Sequence, residues 1–353
     1  MHCPLRLCLR GHDFMNTLDL TRQPILPQSR LKRVLHDFPG VVSIGLFFAL
    51  CLVLFTLVTD NFLSSANLLN VIRQNAPLLI VAVAMTLVVT TGGIDLSVGS
   101  TLALVGALAA MALNAWHLPW PLVLVGGLGV GAMIGALNGY FIAYAGIPAF
   151  IVTLATLTII RGLAMLLTQG YSIPVPREET VFLGLGRGWF LGVPLAAWLA
   201  LLTALGGALM LGKMRFGRYL TGIGANAESV RRAGVNHRGV LLRVYMLSGM
   251  AAALAGMIVT ARLGSGSSNQ GEGFELEVIA AVVLGSTSLF GGFGTIVGTL
   301  LGALTMAAIK NGLILAHISP FYTQIATGLI VLLAIWLNTR ILRTGRPLGR
   351  AGA

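Results

Sequence analysis

Residues 212–236, GKMRFGRYLTGIGANAESVRRAGVN, separate two apolar runs, 191–211 (LGVPLAAWLALLTALGGALML) and 241–261 (LLRVYMLSGMAAALAGMIVTA). Each run, at roughly 20 residues, is long enough to cross a hydrocarbon core about 30 Å thick. The segment between them, 212–240, carries Lys213, Arg215, Arg218, Arg231, Arg232 and Arg238, and Arg243 follows. A basic stretch between two spans belongs on the cytoplasmic side under the positive-inside rule. Within it, residues 227–233 suit a short helix. Asn226 serves as N-cap, Glu228 lies in the first turn where the helix dipole favours an anion, Arg231 and Arg232 favour the other end, and Gly234 terminates it. Such a helix can dock into a groove on a soluble partner. The alternative is a basic loop held by anionic lipid.

The same pattern extends in both directions. The 353 residues are 56% hydrophobic and only 10% charged, with a mean hydropathy of +0.88. A water-facing surface needs about a quarter of the residues charged, so the expected class is an all-α polytopic membrane protein. The apolar runs are continuous, which excludes the alternating strands of an outer-membrane barrel. Ten spans are expected, at about 38–58, 74–91, 94–115, 119–144, 148–168, 191–211, 241–261, 275–291, 294–315 and 320–338. The runs 74–91 and 275–291 are short and interrupted, and either could be broken or re-entrant where it lines a cavity. A cytoplasmic segment 1–37, a permease-like domain 38–338 and a basic tail 339–353 follow from this division. Seventeen of the 23 Lys and Arg fall in the 1–37 segment, the 212–243 stretch and the tail. That clustering explains the net charge of +12 without nucleic acid. With ten spans, both termini and the 212–240 segment share the cytoplasmic side, and the opposite face receives Asp60, Arg177, Glu178, Glu179 and Glu272. No apolar core with a small-residue cleavage site precedes the first span, so no cleaved signal peptide is expected, and Met15 is an alternative start. Cys3, Cys8 and Cys51 have neither disulfide-framework nor metal-ligand spacing, and no cofactor is expected.

Two glycine series, Gly127, Gly131, Gly135, Gly139 and Gly294, Gly298, Gly302, recur every fourth residue, which aligns them on one helix face for close packing. Residues 92–102 (GGIDLSVGSTL) echo residues 291–301 (GGFGTIVGTLL). Paired segments of this kind often lie near a transporter's substrate route, and here they form a parallel pair on one side. Two nucleotide-binding look-alikes fail. The run from Gly207 to Lys213 is followed by Met214, where a phosphate loop needs a hydroxyl, and Gly222 to Ala227 lacks a surrounding βαβ unit. No cluster for intramembrane proteolysis is present. Asp95 is the acid placed well inside apolar sequence, where a carboxylate marks a pathway or caps a helix start after Gly92 and Gly93.

Thr90 to Ser100 (TTGGIDLSVGS) resembles the signature of ribose-type sugar permeases of ATP-binding-cassette importers. Phe216 to Gly234 is similar to that family's ATPase-engaging loop, and Glu277 to Gly298 to its third conserved block. The resemblance covers about residues 40–338. One departure is that Glu228-Ser229-Val230 stands where the general loop has Glu-Ala-Ala, with Gly234 retained. The resemblance implies a second permease copy, a separate ABC ATPase, a periplasmic sugar-binding protein and a monosaccharide substrate, in the bacterial inner membrane. It assigns Gly217, Arg218, Asn226, Glu228 and Gly234 to ATPase coupling, and Thr90, Gly92, Gly93, Asp95, Ser97 and Gly99 to the translocation pathway. Asn75, Asn138, Thr153, Thr156, Thr158 and Thr287 offer hydrogen bonds to a neutral polyol, although many such groups bond to their own helices. Topology and charge alone suggest Arg177, Glu178, Glu179 and Glu272 for binding-protein contact. The rival expectation is an ion-coupled secondary transporter of a small polar solute.

Overall fold

The computed structural model describes residues 39–319 and scattered positions between 321 and 336. The segment 1–37, the tail 339–353 and the continuity of the span 320–338 lie outside the described residues. The described chain is helical almost throughout: α1 Pro39–Val58, α2 Ser65–Thr90, α3 Val98–Asn114, α4 Trp120–Ala143, α5 Ala149–Thr168, α6 Thr180–Arg187, α7 Leu195–Gly212, α8 Arg215–Arg232, α9 His237–Leu263, α10 Phe274–Leu284 and α11 Ile296–Leu315. Seven of them are long and apolar enough to cross a membrane: α1, α2, α4, α5, α7, α9 and α11. α3 is apolar but shorter. This is a polytopic all-α membrane protein.

Helix ends follow local chemistry. Ser64 caps α2 by accepting the Asn67 amide at 3.3 Å, Thr295 caps α11 by accepting the Gly298 amide at 3.4 Å, and Asn236 caps α9 by accepting the Gly239 amide at 3.0 Å. Pro119, Pro148 and Pro194 precede α4, α5 and α7, where a proline lacks no needed hydrogen bond. Two short antiparallel strand pairings, Ile173–Pro174 with Ser265–Gly266 and Trp189–Phe190 with Val193–Pro194, close loops at the end of the bundle away from α8.

The helices sort by burial. α2, α3, α9 and α11 form the protein-enclosed centre, whereas α1, α4, α5 and α7 expose long apolar side chains such as Leu50, Leu57, Met133, Ile159 and Leu202. Small residues allow the inner contacts. An added Cβ at Gly131 would strike the Gly249 carbonyl, at Gly135 the Tyr245 carbonyl and at Gly139 Leu242. The backbones of α4 and α9 therefore touch, in antiparallel order. Gly298 and Gly302 meet Gly285 and Ala281 in the same way, joining α11 to α10. The first series and Gly298 and Gly302 thus pack helices, as their spacing implies, whereas Gly294 lies in the turn before α11 and packs on Thr90.

Three expected spans need correction. The run 74–91 is neither short nor broken: α2 begins at Ser65, because Ser64 supplies a cap and Asn67 is tied to Phe62 and Asn311. The run 94–115 becomes helical only at Val98, after the turn at Gly92 and Gly93. The run 275–291 is not one helix. α10 ends at Leu284, and residues 285–295 turn through Ser286, Gly291 and Gly292 at positive φ. Eleven helical residues reach only ~16 Å, about half a hydrocarbon core, so α10 is a half-helix. The turn belongs where α8 sits, since Gly291 and Gly292 pack on Gly224 and Ala225.

Candidate functional site

Asn226 is extended within α8 (φ −164°, ψ 96°), and this break divides the element into two helices. The second helix is the expected one. Asn226 Oδ1 accepts the Ser229 amide at 3.0 Å. Glu228 Oε1 accepts from Arg231 Nη2 at 2.8 Å and Arg232 Nε at 3.0 Å. Those bonds hold the Glu228 carboxyl below its ordinary range. Gly234 turns the chain at φ +79°. Ala227, Glu228, Ser229, Arg231 and Arg232 are exposed, while Val230 turns inward. The first half of α8, which the sequence reads as loop, anchors this element through buried Gly217, Leu220 and Ile223. Gly217 lies against the Met210 and Leu211 carbonyls, and Arg218 is exposed.

Directly behind the Asn226 break lies a knot of glycines. A Cβ at Gly224 would strike the Thr90 carbonyl and the Gly292 amide. Gly292 N–H donates to Thr90 O at 2.9 Å. Gly92, Gly291 and Gly292 have φ of +83°, +78° and +78°, conformations that only glycine adopts freely. Gly93 fits against the Tyr245 hydroxyl and Gly294 against the Thr90 hydroxyl. The two echoed segments are therefore in contact, and α8 rests on the second of them and on Thr90 at the end of α2.

The pathway candidates divide. Asp95 is 1% exposed, and its Oδ1 accepts the Ser97 amide at 3.0 Å and the Ser97 hydroxyl at 2.6 Å. Asn138 Nδ2 donates to Ser97 Oγ at 2.9 Å, and Thr156 donates to Asn138 Oδ1 at 2.6 Å. This chain ties the α2–α3 link to α4 and α5. Thr90, Gly92 and Gly93 sit in the glycine knot, and Gly99 packs against Gly271 and the Glu275 carboxylate. Asn75 stands apart, donating to Val71 O of its own helix at 2.8 Å. Thr153 and Thr158 likewise bond within α5, to Ala149 O and Ala155 O at 2.8 Å. Thr287 accepts the Thr295 amide at 3.4 Å, bracing the turn before α11.

At the far end, Arg177, Glu178 and Glu272 are exposed and Glu179 is half-exposed. They share one end of the bundle because Val175 N–H donates to Gly264 O at 2.9 Å beside the first strand pairing. Three further residues, of which only Glu277 falls in a motif, make contacts that the motifs do not describe. Arg161 of α5 donates to the carbonyls of Ser268, Gln270 and Gly271 at 2.5, 2.7 and 3.2 Å, pinning the loop before α10. Glu277 and Lys310 form an ion pair at 2.6 Å. The signal that could have found Arg161 and Lys310 is a single cation in an otherwise apolar run, which is costly in a membrane and tends to mark function.

Apolar spans, a half-helix and an outward-facing capped helix seated on paired glycine turns together define a membrane transport subunit of the permease class. The chain belongs to the family described as branched-chain amino acid transport system, permease component, whose model matches residues 67–335. It is 41% identical over 288 residues to the ribose import permease protein RbsC of Escherichia coli K12, covering 80% of this chain and 88% of that protein. It is 39% identical over 318 residues to RbsC of Bacillus subtilis 168, covering 89% and 97%. To the xylose transport system permease protein XylH of Escherichia coli K12 it is 34% identical over 361 residues, covering 85% and 90%. No solved structure matches the chain.

Proposed function

We propose that this protein is the membrane permease subunit of a bacterial ABC sugar importer, resident in the inner membrane, which passes a monosaccharide inward and contains no ATPase of its own. A separate ABC ATPase, a periplasmic sugar-binding protein and a second permease copy complete the machine. The observation that carries the reading is the exposed helix 227–232, capped by Asn226 and closed by Gly234, seated through Gly224 on the turns that begin α3 and α11. A soluble motor gripping that helix acts on the start of two membrane helices at once. Membership in the permease family and the sugar substrates named for the relatives favour this over an ion-coupled carrier.

Helix directions support ten crossings with both termini and 212–240 in the cytoplasm. α4 and α9 run antiparallel, and α1 and α11 parallel, since Gly45 faces Leu301 and Gly312 faces Phe55. α10 and the turn after it count as one crossing. Segments 1–37 and 339–353 then become cytoplasmic flanks. Arg177, Glu178, Glu179 and Glu272 face the binding protein, and Gly217, Arg218, Asn226, Glu228 and Gly234 form or brace the ATPase contact.

The test is co-purification of the ATPase with the permease, with ATP-dependent ribose uptake measured in parallel. Wild type retains the ATPase, whereas Glu228→Arg and Gly234→Asp release it while remaining in the membrane. Retention by both variants, or gradient-driven uptake by the permease alone, contradicts the reading.

A further inference from the structure

Lys310 lies in α11, a helix long and apolar enough to cross a membrane, five residues or ~8 Å before its end. Its partner Glu277 stands in the first turn of α10. A charge facing lipid at such a position is costly. Yet the Glu277 side chain remains 43% exposed and that of Lys310 36%. Leaving that much ionic surface against lipid is strongly unfavourable, so in a single copy of the chain the open side of the pair needs water or another polar surface beside it. Beside the pair, Asn67 and Asn311 exchange reciprocal amide hydrogen bonds at 2.8 and 3.1 Å, and both are only half-buried. The outer face of α1 provides the contrast: Leu50 is 60% exposed on a helix that carries no charged residue.

We propose that Glu277 and Lys310, flanked by Asn67 and Asn311, line the water-filled outer half of the translocation pathway and hydrogen-bond a polyhydroxylated solute in transit. The carboxylate accepts from sugar hydroxyls, the ammonium donates to them, Asn311 keeps one N–H to donate, and both amide oxygens retain a lone pair, while the two N–H groups of Asn67 are committed to Phe62 and Asn311. Because the pair is internally neutral, it contacts a neutral polyol without demanding a counter-charge. This inference rests on the importer reading above and adds to it a site of which the sequence motifs mark only Glu277.

The experiment uses the full importer in right-side-out membranes, with Cys3, Cys8 and Cys51 replaced by serine. Lys310→Cys, Glu277→Cys and, as a lipid-facing control, Leu50→Cys are treated with a membrane-impermeant cationic thiol reagent. The expected result is labelling at 310 and 277 at least tenfold faster than at 50, with labelling lowering ribose uptake at least tenfold. Labelling as slow as at position 50 overturns the proposal, and so does labelled permease that takes up ribose at the unlabelled rate. ATP dependence of uptake by the unlabelled importer separately tests the importer reading, since thiol labelling needs no ATP.

Discussion

Asp95 spends its Oδ1 on the amide and hydroxyl of Ser97, so the geometry is that of a turn brace at the start of α3. An asparagine can reproduce both bonds through its own carbonyl oxygen. Asp95→Asn is therefore expected to keep sugar uptake within a few-fold of wild type, whereas Asp95→Ala strips both Ser97 bonds and lowers uptake at least tenfold with less protein in the membrane. A proton-relay carboxylate would lose function equally in both variants, and uptake assays with membrane quantification separate the cases. Glu228 is a different kind of carboxylate, exposed and paired with Arg231 and Arg232, which depress its pKa. Because the folded value lies below the unfolded one, the pair's contribution is fully present above the unfolded value of roughly 4.3 and is lost as pH falls through the depressed folded value. ATPase retention by wild type is thus expected to stay level from about pH 8 to about pH 5. Co-sedimentation across that range checks it, and a loss well above about pH 5 would show that the Glu228 carboxylate does not govern retention.

Among elements, the α4–α9 contact shows what glycine spacing does and what it leaves unsaid. Gly135 touches the Tyr245 backbone, whereas Gly129, on the same helix, has nothing within 4 Å of an added Cβ. Gly135→Val must push α4 from α9 and is expected to cost about 1–3 kcal/mol, seen as a lower unfolding temperature in detergent, while Gly129→Val leaves that temperature unchanged. A four-residue rhythm makes the packing face legible, as long apolar runs make α1, α4, α5 and α7 legible. The cap at Asn226 and the stop at Gly234 are also readable, because each rests on local backbone chemistry. α10 is not, since the apolar residues 278–284 run into a turn whose break depends on Gly291 and Gly292 meeting Gly224, a contact distant in sequence. The first half of α8 is hidden for a related reason: its Gly217, Gly222 and Gly224 read as loop residues until α7 and the Thr90 turn are in place. At the site, the motif around Asp95 stands out as a string, but the hydrogen bonds that tie it to Asn138 and Thr156 depend on three helices converging. Glu277 is visible as the first residue of a motif-like block, but its partner Lys310 is 33 positions away.

For the whole molecule, the arrangement separates motor contact from solute contact. α8 carries an exposed handle on one side of Asn226 and a half-buried wedge, Gly224, on the other. The wedge presses on the Thr90 carbonyl and Gly292 amide, so displacement of the handle reaches α2–α3 and α10–α11 together, and neither turn can move alone without breaking the Gly292–Thr90 hydrogen bond. Those two links continue toward the far end, where Arg161 fixes the 268–271 loop and the acidic outer residues stand. In the proposed importer, closing of a partner ATPase would alternate access through these packed turns, with no step that needs a proton transfer. The decisive experiment follows ATP hydrolysis by the co-purified ATPase, with and without ribose-loaded binding protein, in wild type and in Gly224→Val. Gly224→Val is expected to hold the ATPase through helix 227–232 yet lose at least ninety percent of the stimulation by loaded binding protein. Full stimulation in that variant would mean that the wedge does not transmit the motor's motion.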